Sequence, residues 1–430
     1  MKSSLAAGGS ATRPNIILCM TDDQGWWDTS YYGLKKIKTP ALDAMAAGGI
    51  QFNRFYAGHP SCSPCRASVL TGRNPNRMGC FWPGMPIKKQ EVTIAQAVKK
   101  AGYATAHFGK WHLNGVAGPG KPIPATDPLG PMALGFDEMF SVSNYFDTDW
   151  TFSRNGESVK VKGDGSDAIV AEALTFAEKN AKKGTPFLAL VWFGSPHSPN
   201  KPTAEDQQKA GGSTYYGELV GVDRAMGTLR AGLRKLGIAD DTMIVFNSDN
   251  GGWPEEKAPD NSSCNGPLRG RKGDLYEGGI RVPGLIEWPS RIPKPFVSEV
   301  PVCTIDMYPT VMDILKLKVS GQVEPIDGMS ILPVLEGKTN ERSKPIGFWQ
   351  FDDTIGPMDT NTGPSAWMEQ RYKLVKAKKD KWELYDIPAD ISEKNDIAAA
   401  NPGIVNRMKA ELEAWHQGVL KSNAGMDYTR

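Results

Sequence analysis

Short runs of almost entirely apolar residues recur along the N-terminal part of the chain, at residues 15–20, 104–109, 187–193 and 242–247. Runs of this length without alternating polar positions are typical of strands buried on both faces of a parallel sheet. A further run, residues 51–56, predicts another strand. Between the runs, apolar positions repeat at the helical period, which predicts amphipathic helices over residues 39–47, 93–100, 167–182 and 218–236. This alternation predicts an α/β fold with a large mixed, mostly parallel central sheet and helices on both faces.

The pattern changes after about residue 302. Residues 304–315 predict a helix, and the short runs at residues 346–350, 372–375 and 382–385 predict a small antiparallel sheet. Residues 402–419 predict a terminal helix with one apolar face. We therefore expect three parts: a leader or tag remnant at residues 1–13, a main α/β domain at residues 14–340, and a small C-terminal α+β subdomain at residues 341–430.

The amino-acid composition argues against several classes of protein. The 430 residues carry 50 Lys and Arg against 48 Asp and Glu, so the formal net charge is only +2. Because so even a balance gives no broad basic surface, we expect no nucleic acid partner, and any anion must be recognised locally. No apolar run approaches the roughly 20 residues that cross a bilayer, so we expect no membrane span. The six cysteines are scattered without C-x-x-C spacing, which favours neither a zinc site nor a disulfide scaffold.

Acidic and amide side chains follow two of the predicted strands directly. Asp22 and Asp23 come after the run at residues 15–20, and Asp249 and Asn250 come after the run at residues 242–247. Each pair alone is also typical of a turn. Two such pairs at strand ends favour a site for a hard cation, because carboxylate and amide oxygens suit Ca²⁺ or Mg²⁺. We expect Ca²⁺, with Mg²⁺ as the alternative.

Residues 61–73 read S-C-S-P-C-R-A-S-V-L-T-G-R. Pro64 suits the first turn of a helix, so Cys62 is expected at or just before a helix N-terminus, where the dipole lowers the pKa of a thiol. Arg66 lies about one turn further along, which predicts an anion site at this helix start. The alternative is a buried structural cysteine beside a surface arginine.

Three more polar clusters carry candidate chemistry. Lys110 and His112 follow the run at residues 104–109, and on an extended segment they point to the same side. His197 follows the run at residues 187–193. A cation and an imidazole that face one pocket can hold an anion and move a proton. Lys272 lies in a Gly-rich basic segment, for which a solvated loop is the alternative.

Several of these segments resemble motifs of one enzyme family. The string C-x-P-x-R-x-x-x-L-T-G-R begins at Cys62, G-K-W-H-L spans residues 109–113, and K-x-x-x-x-E-G-G-x-R-V-P begins at Lys272. In this order they resemble the formylglycine-dependent type I sulfatases of the alkaline-phosphatase-like superfamily. The start of the chain is similar to the branch that contains arylsulfatases and N-acetylgalactosamine-6-sulfatase. The resemblance implies that residues 14–340 are the catalytic domain.

The resemblance also implies roles for individual residues. Cys62 would be oxidised by a formylglycine-generating maturation enzyme to formylglycine (3-oxoalanine), which attacks a sulfate monoester and forms a covalent sulfo-formylglycine intermediate. Arg66 and Lys110 would hold this residue, and His112 would take the proton that expels sulfate. His197 and Lys272 would bind the sulfate and protonate the leaving alcohol. Residue 62 would share the metal with the oxygen ligands, which are Asp22, Asp23, Asp249 and Asn250.

Aromatic, acidic and basic residues on predicted loops suit a sulfated carbohydrate, because rings stack on sugars and acids bind hydroxyls. The alternative for most of them is ordinary packing. The residues that we expect to contact substrate are Trp26, Asp147, Asp149, Trp253, Arg269, Arg271, Trp349 and Asp352.

The sequence is also compatible with other functions. An aryl sulfate is an alternative substrate, and a phosphonate or phosphate ester hydrolase with the same formylglycine is an alternative enzyme. A carbohydrate-binding relative without activity and a cysteine hydrolase that uses Cys62 with His112 are more distant alternatives. We expect a periplasmic or secreted protein whose export signal is absent from this chain or removed, with a cytoplasmic location as the alternative.

Overall fold

The structure is a computed structural model that describes residues 13–253, 264–292, 294–351, 363–378 and 381–428. The strands, in chain order, are β1 Asn15–Thr21, β2 Ile50–Phe52, β3 Phe55–Tyr56, β4 Ala104–Lys110, β5 Glu138–Val142, β6 Thr151–Arg154, β7 Glu157–Lys160, β8 Phe187–Trp192, β9 Thr242–Ser248, β10 Arg281–Val282, β11 Gly284–Glu287, β12 Phe296–Ser298, β13 Val302–Cys303, β14 Ile346–Trp349, β15 Ser365–Met368, β16 Tyr372–Lys378 and β17 Lys381–Asp386. The α-helices are α1 Pro40–Gly48, α2 Cys62–Thr71, α3 Ile94–Lys100, α4 Gly165–Lys183, α5 Ala204–Lys209, α6 Thr214–Lys235, α7 Glu277–Ile280, α8 Met307–Ile314, α9 Leu332–Leu335 and α10 Pro402–Asn423.

The central sheet has ten strands in the order β12-β2-β11-β9-β1-β8-β4-β5-β6-β7. The strands predicted from apolar runs are parallel neighbours at its centre: β1 pairs with β8 and β9, and β4 pairs with β8. Antiparallel pairs lie towards the edges, where β11 joins β9 and β5 joins β6. The predicted mixed, mostly parallel sheet is therefore confirmed.

Alternate residues of β1 enter two different cores. Ile16, Leu18 and Met20 pack in the core formed with α2, α3 and α8. Ile17 and Cys19 pack in the opposite core, formed with α1, α4 and α6. Both sheet faces are covered, which is why β1 carries no alternating polar positions. This arrangement confirms the predicted helices on both faces.

The C-terminal part forms a four-stranded antiparallel sheet in the order β14-β15-β16-β17. Helix α10 covers it, and its Met408 and Leu412 pack against Leu374 and Leu384. The small sheet and terminal helix are thus confirmed. The boundary near residue 340 stays a prediction.

One local prediction was wrong, and another was right only in part. The predicted strand at residues 51–56 is two strands in different sheets, because a turn at residues 53–54 sends β2 to β11 and β3 to β10. The helix predicted over residues 304–315 begins as a 3-10 turn at Thr304–Asp306 and becomes α-helical only at Met307. In the part of the chain that the structure describes, no helix has both the length and the apolar character needed to cross a membrane.

Candidate active site

The acidic residues meet because the two strands that precede them are parallel neighbours. β1 and β9 are paired in register, with Thr21 opposite Ser248. The next residues therefore leave the sheet side by side. The backbone N–H of Asp23 donates to Oδ1 of Asp249 at 3.2 Å, and Nδ2 of Asn250 donates to Oδ1 of Asp23 at 2.7 Å. Asp23 has a φ of 65°, a left-handed conformation that turns the chain sharply at the strand end.

Helix α2 brings Cys62 to the same place. Cys62 is the first residue of the helix, directly after the N-cap Ser61, as the position of Pro64 predicts. The ligand atoms of Asp22, Asp23, Cys62 and Asp249 all lie within 4.8 Å of one another, and all four residues are buried. Residues far apart in sequence thus form one compact cluster of atoms that could hold a metal ion.

Each carboxylate is paired with a cation. The pairs are Arg66 with Asp249 at 2.7 Å, Lys110 with Asp22 at 2.5 Å, and Lys272 with Asp23 at 2.7 Å. We call these six residues, with Asn250, the strand-end cluster. Arg66 also donates from Nη1 to the backbone oxygen of Lys110 at 3.1 Å, so α2 is tied to the end of β4.

The Cys62 thiol does not have the lowered pKa that the helix N-terminus predicts. Burial raises its pKa to about 12, and the opposing charges of Lys110 and Lys272 do not offset the loss of solvation. The prediction was wrong because a helix dipole is weaker than complete burial. A thiol held neutral is a poor nucleophile at neutral pH, which disfavours a cysteine hydrolase.

The strand-end cluster fits a hard cation. Two buried oxygens, Oδ1 of Asp22 and Oδ1 of Asn250, accept no hydrogen bond. Buried polar atoms are almost always paired, so unused acceptors beside two more carboxylates suit a metal ligand shell. Burial opposes ionisation of Asp22, but the nearby cations, Lys110 foremost, hold its pKa well below the ordinary value. Burial, with the charge of Asp22, raises the pKa of Asp249 to about 7.

The two predicted acid–base histidines both lie beside this cluster. His112 is buried with a φ of 58°, and its backbone oxygen accepts a hydrogen bond from Ser63 Oγ at 2.6 Å. Burial, followed by the charge of Lys110, holds the His112 pKa well below its ordinary value, so the ring is neutral. His197 places Nε2 3.9 Å from Oδ2 of Asp23.

Lys272 remains charged despite its burial. Burial favours the neutral amine, but Asp23, and then the other negative neighbours, raise the Lys272 pKa well above its ordinary value. This ammonium is therefore a fixed positive charge beside Asp23 and Cys62.

The predicted substrate contacts fall into different environments. Trp253 is 37% exposed, and the guanidinium carbon of Arg271 lies 3.9 Å from the centre of its ring. Arg271 directly precedes Lys272 of the strand-end cluster, and Trp253 follows Asn250 of the cluster by three residues. Arg269 is engaged elsewhere, because it stacks on Tyr276 at 3.6 Å and donates to the Tyr385 hydroxyl at 2.8 Å.

The other predicted contacts offer less surface. Trp349 is the last residue of β14, not a loop residue, and its 1% exposure leaves no surface for a ligand. Trp26 is 6% exposed and packs on Tyr32 with ring centres 4.2 Å apart. Asp147 is buried, whereas Asp149 is exposed and accepts a hydrogen bond from the Gly163 N–H at 2.7 Å. Asp352 lies outside the described residues.

Two residues around His197 were not predicted. The ring of Tyr145 stacks on the His197 imidazole, with centres 5.0 Å apart and planes 12° apart. Glu218, inside α6, reaches both ends of the His197 loop. Neither carries a local sequence signal, although a glutamate on the buried face of an amphipathic helix is unusual enough to attract attention.

Comparisons with known proteins place the chain among the sulfatases. A family model described as Sulfatase matches residues 14–317, and one described as N-sulphoglucosamine sulphohydrolase, C-terminal, matches residues 271–418. N-acetylgalactosamine-6-sulfatase from Canis lupus familiaris is 31% identical over 86% of this chain and 76% of its own length. Arylsulfatase A from Homo sapiens is 29% identical over 84% of this chain and 76% of its own length.

A solved structure extends the likeness to the whole fold. The crystal structure of Ps i-CgsB in complex with k-i-k-neocarrahexaose is 28% identical, with a TM-score of 0.83, and covers 97% of this chain and 98% of that chain. The chain therefore belongs to the sulfatase family of the alkaline-phosphatase-like superfamily and is a sulfuric ester hydrolase.

Proposed function

We propose that this enzyme hydrolyses the sulfate monoester of a sulfated carbohydrate by means of a formylglycine formed from Cys62. The observation that carries the proposal is the packing of Cys62 against Asp22, Asp23 and Asp249 within 4.8 Å. When present, formylglycine supplies a hydrated aldehyde whose hydroxyl attacks sulfur. A formylglycine-generating maturation enzyme would then be an obligatory partner.

Charge balance explains why the site needs a divalent ion. Its three carboxylates are offset by Arg66, Lys110 and Lys272, so the cluster alone gives little net attraction for a sulfate. A bound Ca²⁺, with Mg²⁺ as the alternative, would add the net positive charge that neutralises the ester and the developing transition state. Its ligands would be Asp22, Asp23, Asp249, Asn250 and residue 62.

The surrounding residues have separate proposed roles. Arg66 and Lys110 orient residue 62 through the carboxylates they bind. His112, which is neutral and buried, accepts the proton that allows sulfate to leave. His197 and Lys272 bind the sulfate group and deliver a proton to the departing alcohol oxygen.

Carbohydrate as the substrate class is supported by the rim of the site and by relatives. Trp253 offers an exposed ring with a cation stacked on it, which suits a sugar face beside an anionic group. Asp149 offers an exposed carboxylate for hydroxyl groups. A hexosamine sulfatase and a protein bound to neocarrahexaose are among the similar proteins. We further propose that the enzyme acts in the periplasm or outside the cell.

The decisive experiment couples turnover to modification of Cys62. The chain is produced with a formylglycine-generating enzyme, and sulfate release is measured on a panel of sulfated mono- and oligosaccharides together with aryl sulfates. Mass spectrometry of the peptide that contains Cys62 reports the aldehyde. We expect activity to follow the modified fraction and Cys62→Ala to abolish it. Cys65→Ala is the matched control, because Cys65 is also buried in α2 but lies outside the ligand cluster.

Two outcomes would overturn the proposal. One is an active preparation in which the Cys62 peptide carries only the thiol. The other is a higher kcat/KM for a phosphate diester or phosphonate ester than for the matched sulfate ester, which would favour the alternative hydrolase.

A further inference from the structure

The loop that carries His197 is held at both ends by a single side chain from another element. Glu218 lies in α6 and is buried. Its Oε2 accepts a hydrogen bond from Ser195 Oγ, two residues before His197, and its Oε1 accepts one from the Lys201 N–H at 2.8 Å, four residues after it. A carboxylate that bridges the two ends of a short loop restricts how far the residue between them can move.

Several other contacts of the loop are local or reach one end of it. The backbone oxygen of Ser195 accepts from the Asp22 N–H at 3.1 Å, which joins the start of the loop to the strand-end cluster. Asn200 donates to the Pro196 oxygen at 2.7 Å, inside the loop. Tyr145 supports one face of the imidazole. Within the described part of the chain, Glu218 is thus a side chain that contacts both ends of the loop.

We propose that Glu218 is a positioning residue that holds the His197 imidazole where it can protonate the leaving group. Because the role rests on the proposed function of His197 in protonating that group, its test must be separable from the test of His197 itself. Proton transfer depends steeply on donor–acceptor geometry, so a loosened loop weakens leaving-group protonation before it weakens sulfate binding.

A second carboxyl group faces Glu218 and indicates which substitution should be harmless. Asp147 is hydrogen-bonded to Glu218, and burial raises the Asp147 pKa to about 6 and the Glu218 pKa well above its ordinary value. Asp164 adds negative charge nearby. Two carboxyls in contact retain a proton between them. A glutamine can replace a protonated glutamate here, because its amide supplies both an acceptor and donors.

The test uses two aryl sulfates that differ in their need for protonation. The phenol released from 4-nitrophenyl sulfate leaves readily, whereas the phenol released from phenyl sulfate depends more on a general acid. General acid catalysis is worth about 10²–10⁴-fold, so we expect Glu218→Ala to lower kcat for phenyl sulfate by about tenfold more than kcat for 4-nitrophenyl sulfate. We expect Glu218→Gln to keep the wild-type ratio, and Glu218→Ala to leave KM nearly unchanged.

Reference variants separate the possible outcomes. His197→Ala should show the same selective loss, and adding Glu218→Ala to it should change the ratio no further, because a residue that acts through another is not additive with it. If His197→Ala shows the selective fall in kcat for phenyl sulfate and Glu218→Ala does not, the positioning role of Glu218 is wrong, whereas the proposed role of His197 stands. If His197→Ala shows none, the proposed role of His197 fails as well. An equal fall for both esters in Glu218→Ala indicates a merely structural role and overturns the inference. Should Glu218→Ala not fold, Ser195→Ala removes one end of the bridge and gives the same test.

Discussion

Two clusters of buried charge differ in how their oxygens are used. In the strand-end cluster, Oδ1 of Asp22 and Oδ1 of Asn250 accept no hydrogen bond. The second cluster, which we call the sheet-contact cluster, joins α7 to the four-stranded sheet and consists of Glu277, Arg281, Lys373 and Glu393. There both oxygens of Glu277 are used, one by Lys373 at 2.9 Å and the other by the Tyr56 hydroxyl at 2.9 Å.

The difference distinguishes a candidate metal site from a structural contact between two parts of the fold. Buried carboxylates need partners, and in the sheet-contact cluster the protein supplies them from its own side chains. Oε1 of Glu393 accepts no hydrogen bond, but it lies 2.9 Å from the Lys373 ammonium. In the strand-end cluster it supplies cations and still leaves acceptors for an ion from solution. Burial and charge pairing alone therefore do not identify a site, whereas two unused acceptors beside two more carboxylates favour a metal site.

The largest expected effect is the loss of a metal ligand from the strand-end cluster. Asp22→Asn removes one negative charge but keeps the shape, and we expect kcat/KM to fall on the order of 10³-fold, because metal neutralisation of the ester is worth several kcal/mol. The measurement is sulfate release, with the Ca²⁺-dependent rise in thermal midpoint as a second readout. Asp223→Asn, a buried acid that caps α1, should keep that rise. Wild-type activity in Asp22→Asn would contradict the metal assignment.

The next effect is on stability and belongs to the sheet-contact cluster. Lys373→Met leaves Glu277 and Glu393 buried without their shared ammonium. We expect the free energy of unfolding to fall by about 3–5 kcal/mol, while kcat per folded molecule is preserved. Urea denaturation and active-fraction kinetics measure the two quantities. Lys381→Met, which removes an exposed lysine that pairs with Glu383, should cost far less. A large loss of kcat in folded Lys373→Met would show that the sheet-contact cluster also affects activity, which contradicts the purely structural role we assign to it.

The pH dependence of stability provides a third test. Burial raises the pKa of Glu393 to about 7, with Lys373 opposing the shift and Glu277 adding to it. A carboxyl with a raised pKa binds its proton more tightly in the folded state, so its contribution to stability is lost as pH rises through about 7. We expect the stability lost between about pH 5 and about pH 8 to be smaller in Glu393→Gln than in wild type by roughly 2 kcal/mol. If urea denaturation gives the same change in unfolding free energy with pH for both proteins, the prediction for Glu393 is wrong.

The smallest expected effect lies at the rim of the strand-end cluster. Trp253→Ala should raise KM for a sulfated oligosaccharide about fivefold with little change in kcat, because a sugar–ring contact is worth about 1 kcal/mol. Phe296→Ala is the matched control, since both side chains are 37% exposed and Phe296 lies on the edge strand β12. Equal KM values for the Trp253 variant and wild type would remove Trp253 from the proposed binding surface.

The fold was predictable where the local pattern of apolar residues indicates that a segment is buried. The run at residues 15–20 became β1, Asn15–Thr21, because a strand covered on both faces needs continuous apolar residues. The β6–β7 hairpin was missed although Asn155-Gly156, a typical two-residue hairpin turn, joins its strands. β15 gives no comparable signal, because its four residues acquire their environment only from β14 and β16.

The site was predictable to a similar extent. Polar clusters at strand ends indicated which side chains would meet, because parallel neighbours end at one edge. The thiol pKa and the burial of Trp349 depend on packing by distant segments, which the local sequence does not contain. Glu218 was missed for the same reason, since its partners Ser195 and Lys201 belong to another loop.

Cys62 leaves the ribosome long before the segments that enclose it. Its surroundings are complete only when β9 has paired with β1 and Lys272 has reached Asp23. Since synthesis proceeds at about 5–20 residues per second, the thiol spends on the order of ten seconds or more on a chain that cannot yet bury it. In the finished fold the same residue is 1% exposed. An enzyme that modified Cys62 would thus have its best access before the chain has folded around it.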